Sequence, residues 1–138
     1  MVPGHLMGAA RCDIPAVMVT GGYMPHCFFR GREIGLTEVS STIGKVMEGR
    51  YPRPDFDEMV ERGHMGCGAC GSMTTASSMC MVVEAMGMCV PGNASVNATD
   101  KRLGAMAYEA GIRVMELVDR GVTARSILTR EAIENAII

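Results

Sequence analysis

Two thiols in a glycine-rich turn, with an apolar helix-like run directly behind them, are the strongest chemical signal in this sequence. The stretch reads Gly66-Cys67-Gly68-Ala69-Cys70-Gly71-Ser72-Met73-Thr74-Thr75-Ala76-Ser77-Ser78-Met79. Soft metals and iron–sulfur clusters take thiolate ligands. A thiolate is favoured at a helix N-terminus, where unpaired N–H groups carry partial positive charge. Glycines let the backbone bend tightly and approach a bound group. The stretch therefore reads as a cofactor-binding corner. Two other chemistries stay open on the residues alone. One is a cysteine-based metal module on Cys67 and Cys70; zinc would need about four ligands, with His64 beside the pair and His5, His26, Cys12 and Cys27 upstream. That set needs a residue such as Cys27 to close it. The other is a thioredoxin-like redox pair, which expects a preceding strand; here a helix and a loop are expected instead.

Further polar residues have plainer readings beside the functional ones. Arg30 and Arg32 can meet a carboxylate, or simply be solvated. His5 reads as a helix-surface histidine and Asp13 as a cap without catalytic work. Ser72 reads as a helix cap, while Thr74 and Thr75 can turn hydroxyls toward a bound group. Glu84 interrupts an apolar helix; a buried carboxylate needs a partner, and a structural ion pair is expected. Gly21-Gly22-Tyr23-Met24-Pro25 is a candidate binding loop at the end of a strand. The 14 methionines read as core filling.

Composition narrows the classes. The 138 residues suit one domain, and 48% hydrophobic residues permit a core. A net charge of −2 with no basic stripe argues against nucleic acid. No apolar run reaches the ~18 residues of a membrane span. Met1-Val2-Pro3-Gly4-His5 lacks the layout of a signal peptide. With Cys12, Cys80 and Cys89 in apolar segments, a reduced, cytoplasmic setting is expected rather than a disulfide framework.

The elements that must position the corner follow from periodicity. Pro3 to Arg11 reads as a helix. Ile14 to Thr20 is a short β-branched apolar run ending at Gly21-Gly22, as in a strand of a parallel sheet. Residues 23–35 read as a loop. Helices are expected over Thr37–Glu48, from an Asp55 cap to Arg62, and over Met73–Met88, the last apolar almost all round and so deeply buried. Thr99 can cap the next helix, whose face is Leu103, Met106, Ala107, Ala110, Val114 and Leu117, with Gly121 as its stop. Thr123 opens a last helical region carrying Ile127, Leu128, Ile133 and Ile137. The fold class is therefore α/β, with one clear strand (about 14–20) and several helices. One strand makes no sheet, so the chain is expected to be part of a larger α/β unit or to borrow strands by oligomerising.

These blocks, in this order, resemble the dihydroxy-acid dehydratase / phosphogluconate dehydratase family. The resemblance is carried by Pro3-Gly4-His5-Leu6-Met7-Gly8-Ala9-Ala10-Arg11, by Ile14-Pro15-Ala16 through Gly21-Gly22, and by Arg30-Gly31-Arg32. It is strongest at Gly66-Cys67-Gly68-Ala69-Cys70-Gly71-Ser72-Met73. It continues through Glu84-Ala85-Met86-Gly87-Met88, Pro91-Gly92-Asn93, Leu128-Thr129-Arg130-Glu131-Ala132 and Glu134-Asn135-Ala136-Ile137. It is closest to the branched-chain amino-acid enzyme, with the aldonic (sugar) acid enzymes as the alternative.

The resemblance implies a hydro-lyase that converts a 2,3-dihydroxy carboxylic acid to a 2-keto acid, using an iron–sulfur cluster ([2Fe–2S] or [4Fe–4S]) and Mg2+. It implies that Cys70 is a cluster ligand and that Cys67 lies beside the cluster without binding it. The family's Cys-Asp-Lys motif, with a second cluster cysteine and magnesium ligands, falls ahead of Pro3-Gly4. Its serine base lies in a second domain. Residues 1–138 are thus expected to be a helix-rich fragment of a parallel-sheet, three-layer N-terminal domain, truncated at both ends. No catalytic residue is expected within it, and the stretch alone is expected to be inactive. The intact protein is expected to be a homodimer. Cys27 departs from the family, which tends to have Pro-Gly there.

Overall fold

Parallel pairing organises the centre of the molecule, although almost none of it is long enough to be a strand. The structure, a computed structural model, describes residues 1–63, 66–71 and 73–137. Met18 bridges Cys89, and Tyr23 bridges both Ala69 and Asn97, all in parallel. Tyr23 N–H donates to Val96 O at 3.1 Å, and Ala98 N–H donates to Tyr23 O at 2.8 Å. On the other side, Met24 N–H donates to Ala69 O and Ala69 N–H to Gly22 O. The 18–24 segment is thus the middle of three extended lines.

The expected strand over 14–20 is present as extended chain, but it pairs at one bridge only. Its other contacts go elsewhere: Ile14 O accepts the N–H of Ala124, and Thr20 turns to the buried Asn93 side chain. Asn93 Oδ1 accepts both the N–H and the hydroxyl of Thr20, at 2.7 and 2.8 Å. A side-chain amide here does the work that a ladder would do.

The named strands lie where a loop was expected. β1 (Cys27–Phe29) and β2 (Arg32–Ile34) form an antiparallel hairpin with Cys27 opposite Ile34 and Phe29 opposite Arg32. Arg30 and Gly31 both have positive φ, 51° and 77°, which matches the twist of a two-residue hairpin turn. Cys27, Phe29 and Ile34 face inward, and Phe28 faces water. Three-residue strands are too short for alternation to stand out in the sequence.

Helices enclose two small cores. α1 (Val2–Cys12) buries Leu6 and ends at Asp13 in the left-handed region. α2 (Leu36–Met47) and α3 (Arg53–Arg62) close over the hairpin, where Val39 and Met59 join Cys27, Phe29 and Ile34. α3 starts two residues ahead of Asp55, whose carboxylate serves Arg30 instead of capping. α4 (Thr75–Ala85) is shorter than the expected 73–88, because Met73 and Gly87 have positive φ and stop it at both ends. Ser77, Cys80 and Val83 are buried on it, but Ala76 and Met81 are exposed. Its apolar surround is therefore only partly covered. Val83 joins Leu6, Met88, Cys89 and Ala124 in the second core.

A 3-10 turn (Asn93–Ser95) leads to α5 (Arg102–Asp119). Thr99 does not cap that helix: its hydroxyl donates to Asn97, and Asp100 accepts the Arg102 N–H at 2.8 Å. Short helices α6 (Ala124–Ile127) and α7 (Arg130–Asn135) follow Thr123 and Thr129. The α/β, helix-rich reading holds. Ile138 lies outside the described residues.

Glu84 corrects the expected ion pair. Its two carboxylate oxygens accept the N–H groups of Gly92 (2.6 Å) and Ala94 (2.7 Å), binding α4 to the 3-10 turn. Glutamine at this site would place an NH2 against an N–H donor. Leaving one such donor unpaired costs about 1–3 kcal/mol. Glu84→Gln should lower the urea midpoint accordingly, whereas an unchanged midpoint would show that water replaces the clamp.

Candidate functional site

Close backbone approach holds the thiol corner in place. Gly68 has φ of 123°, and a Cβ on it would sit 2.6 Å from Tyr23 C and 2.7 Å from Met24 N. Only glycine permits the next residue, Ala69, to bridge Tyr23. Cys70 follows directly. Its Sγ lies 2.6 Å from Thr74 Oγ1, and its carbonyl accepts the Ser77 hydroxyl at 2.8 Å. Both partners belong to the start of α4, so the helix and the corner are joined at two points. Thr74, one of the hydroxyls singled out from the sequence, is thereby brought to the sulfur.

Cys70 is half-buried and opens on a cleft of about 410 Å³. The cleft is lined as well by the hairpin region and the start of α2, through His26, Cys27, Glu33 and Glu38. His26 Nδ1 pairs with the Glu33 carboxylate, and the Glu38 carboxylate accepts the Gly35 N–H at 3.0 Å. Cys27 is 4% exposed, with Sγ 3.7 Å from Pro25 O. Gly21-Gly22 contributes by position: it pins the corner, while Tyr23, Met24 and Pro25 line the cleft. The sequence signal for the hairpin wall was present as Cys27-Phe28-Phe29 and Arg32-Glu33-Ile34 around Arg30-Gly31.

The donor set fits one position of a thiolate-bound group. Among the described residues, no three His, Cys, Asp or Glu side chains converge where a metal ion could sit. Cys67 is exposed, and Cys12 lies on the exposed end of α1. His64 and Ser72, named for the zinc and capping readings, lie outside the described residues. The described residues thus do not assemble the four-ligand module.

The remaining candidates are structural. Arg30 pairs with Asp55 at 2.6 Å and Glu58 at 3.2 Å and stacks 4.9 Å from the Phe29 ring centre, so hairpin and α3 are joined through it. The carboxylates, Asp55 first, push its guanidinium further toward the charged form. Arg32 and His5 are exposed. The Asp13 carboxyl is held below the usual carboxylate range by the Thr123 hydroxyl and then by the Arg125 N–H, which ties α1 to α6.

The thiols divide by environment. Cys27, Cys80 and Cys89 are buried. Burial, with Glu84 and Cys80 nearby, pushes the Cys89 thiol up to about 11 from 9.0. Its contribution to stability is complete below the ordinary value and is lost as pH rises through the folded one. Brief alkylation at pH 8 should modify Cys12 and Cys67 first and these three last, read by peptide mass spectrometry. Early modification of Cys89 would contradict the packing of the second core.

A family model described as dihydroxy-acid/6-phosphogluconate dehydratase N-terminal matches residues 1–138. A dihydroxy-acid dehydratase of Nitratidesulfovibrio vulgaris is 39% identical over 136 residues, 99% of this chain and 24% of that protein. One of Methanococcoides burtonii is 39% identical over 137 residues, 99% of this chain and 25% of that protein. One of Clostridium novyi is 38% identical over 138 residues, with the same coverage. The chain spans about a quarter of the length of the curated relatives it matches. With the family model matched from end to end around the pinned Cys70 corner, the chain belongs to the dihydroxy-acid/6-phosphogluconate dehydratase N-terminal family.

Proposed function

We propose that residues 1–138 are part of the N-terminal domain of an iron–sulfur hydro-lyase. The reaction removes water from a 2,3-dihydroxy carboxylic acid and yields a 2-keto acid, in branched-chain amino-acid biosynthesis. The observation that carries the proposal is the position of Cys70: a half-buried thiol on a cleft wall, fixed by a glycine that nothing larger can replace. Cys70 would supply one thiolate to the cluster, which when bound gives the leaving hydroxide a metal to share its charge.

The chain's own residues do the positioning. The Ala69–Tyr23 bridge sets where the thiolate projects. Ser77 holds the carbonyl of Cys70, and Thr74 holds a hydroxyl against its sulfur. A hydrogen bond to a thiolate favours the charged form that binds metal. The hairpin wall, with Cys27 and the His26–Glu33 pair, narrows the cleft. Cys67, which is exposed, is assigned to the surroundings of the cluster and not to its ligands. The other cluster ligands, the magnesium ligands and the base are assigned to residues outside 1–138. The intact protein is taken as a cytoplasmic homodimer. Among the described residues no helix is long and apolar enough to cross a membrane.

The test is anaerobic purification of the full-length gene product, followed by iron and sulfide analysis and assays with a branched 2,3-dihydroxy acid and with an aldonic acid. Bound iron and sulfide, with keto acid formed from the branched substrate, is the expected result. Keto acid from the aldonic acid alone would reassign the substrate, and absence of both iron and activity would sink the proposal. Residues 1–138 by themselves should form no keto acid, because one ligand does not hold a cluster that takes three or four.

A further inference from the structure

Thr74 stands at the N-cap of α4 and does not cap it. Threonine is a preferred N-cap because its oxygen accepts an N–H of the first helical turn. The Thr74 side chain accepts no such bond. Its Oγ1 lies 2.6 Å from Cys70 Sγ instead. The start of α7 shows the ordinary arrangement within the same chain: there the Thr129 hydroxyl accepts the Ala132 N–H at 3.2 Å.

A second observation lies one residue back. Met73 has φ of 53°, in the left-handed region that an L side chain enters only at a cost. A forgone cap and a strained backbone thus fall on the two consecutive residues that deliver this hydroxyl. Ser77 donates to the Cys70 carbonyl at 2.8 Å and so secures the backbone of the corner. Thr74 reaches the sulfur itself.

Chemistry sets the direction of that contact. Between a thiol and a hydroxyl either group can donate. A metal-bound thiolate has no proton to give, so the hydroxyl must then be the donor. A donated hydrogen bond draws electron density away from the sulfur. Hydrogen bonds to the sulfurs are one of the levers that set the potential of an iron–sulfur cluster. A less electron-rich sulfur also leaves its iron the stronger Lewis acid.

We propose that Thr74 is a positioning residue that acts through Cys70: its hydroxyl donates to the Cys70 thiolate and raises the reduction potential of the cluster that this thiolate holds. The proposal rests on the reading of Cys70 as a cluster ligand.

The test compares Thr74→Val, Thr74→Ser and Thr74→Asp in the anaerobically purified full-length protein, with reduction potential and Tm as readouts. Valine keeps the branched shape and loses the donor. Its one-electron reduction equilibrium should move about tenfold toward the oxidised form, ~59 mV. Its kcat should fall about three- to tenfold, for the loss of one hydrogen bond to a charged sulfur, with KM nearly unchanged. Serine should restore both potential and kcat. Aspartate separates tuning from capping, because its carboxylate is a good N-cap and has no proton to donate. It should keep the wild-type Tm or exceed it, yet share the lowered potential of the valine variant. A valine variant with the wild-type potential overturns the inference. So does the pattern of a plain cap, in which valine lowers Tm, aspartate restores it and the potential stays constant. Absence of iron, or iron fully retained in Cys70→Ser, removes the cluster reading of Cys70 and this inference with it. Iron that depends on Cys70, with no shift in potential, removes the inference alone.

Discussion

Cys70→Ser is expected to lower kcat for dehydration by at least about a thousandfold in the full-length protein, equivalent to ~4 kcal/mol of transition-state stabilisation. Serine keeps the size and one hydrogen-bonding atom, so the contact with Thr74 survives in kind. What it removes is the soft thiolate that iron prefers. Bound iron should fall with activity, while Tm should change little beyond the contribution of the cluster itself. Cys67→Ser is the control. Cys67 is exposed and lies before the Ala69 bridge rather than after it, so its loss should leave iron content intact and activity within about threefold, ~0.7 kcal/mol. Equal losses for both variants would make the pair a shared ligand set, and a fully active Cys70→Ser protein would remove Cys70 from the cluster.

Gly22→Ala should be, with a substitution at Gly68, among the most destabilising small substitutions in the described chain. Its φ is +79°, and a Cβ would stand 2.6 Å from Ala98 N, 2.7 Å from Ala98 Cα and 2.8 Å from Val96 O. All three are backbone atoms of the neighbouring extended line, which cannot step aside without breaking the Tyr23 pairing. The left-handed conformation alone costs an L-residue about 1–2 kcal/mol, and displacing backbone adds several more, so a loss of roughly 4 kcal/mol or greater is expected. Gly31→Ala separates the two causes. Gly31 has nearly the same φ, +77°, with nothing within 4 Å of its Cβ. It should lose only the conformational part, about 1–2 kcal/mol. If denaturant midpoints show equal losses, the close approach of the 96–98 segment is wrong.

Much of the site was legible from residue type and spacing. Cys70 in a glycine turn before a helix could be read directly, because a short-range motif carries its own geometry. Gly121 and Thr123 followed likewise from local backbone rules, and the stripe of α5 from its period: Ala110 is buried and Leu103, Met106, Val114 and Leu117 are half-buried, while Ala107 is exposed against expectation. The hairpin at 27–34 was read as loop, since three residues per strand do not establish a period. Glu84 was read as half of an ion pair. The sequence shows that a half-buried carboxylate needs a partner, but not that the partners are two N–H groups of a turn eight to ten residues on.

What the sequence by itself determined is the family, the glycine-rich thiol corner ahead of α4 and the positions of most helices, all of which depend on neighbours within a few turns of chain. What only the tertiary structure decided is which surfaces meet. It set Gly22 against Ala98 and Gly68 against Tyr23, and brought Cys27 and the His26–Glu33 pair to the cleft that Cys70 lines. The physical reason is distance along the chain. A helix or cap is a sum of local preferences, whereas a bridge between residues 23 and 97 exists only if every element between them packs so that the two backbones arrive together.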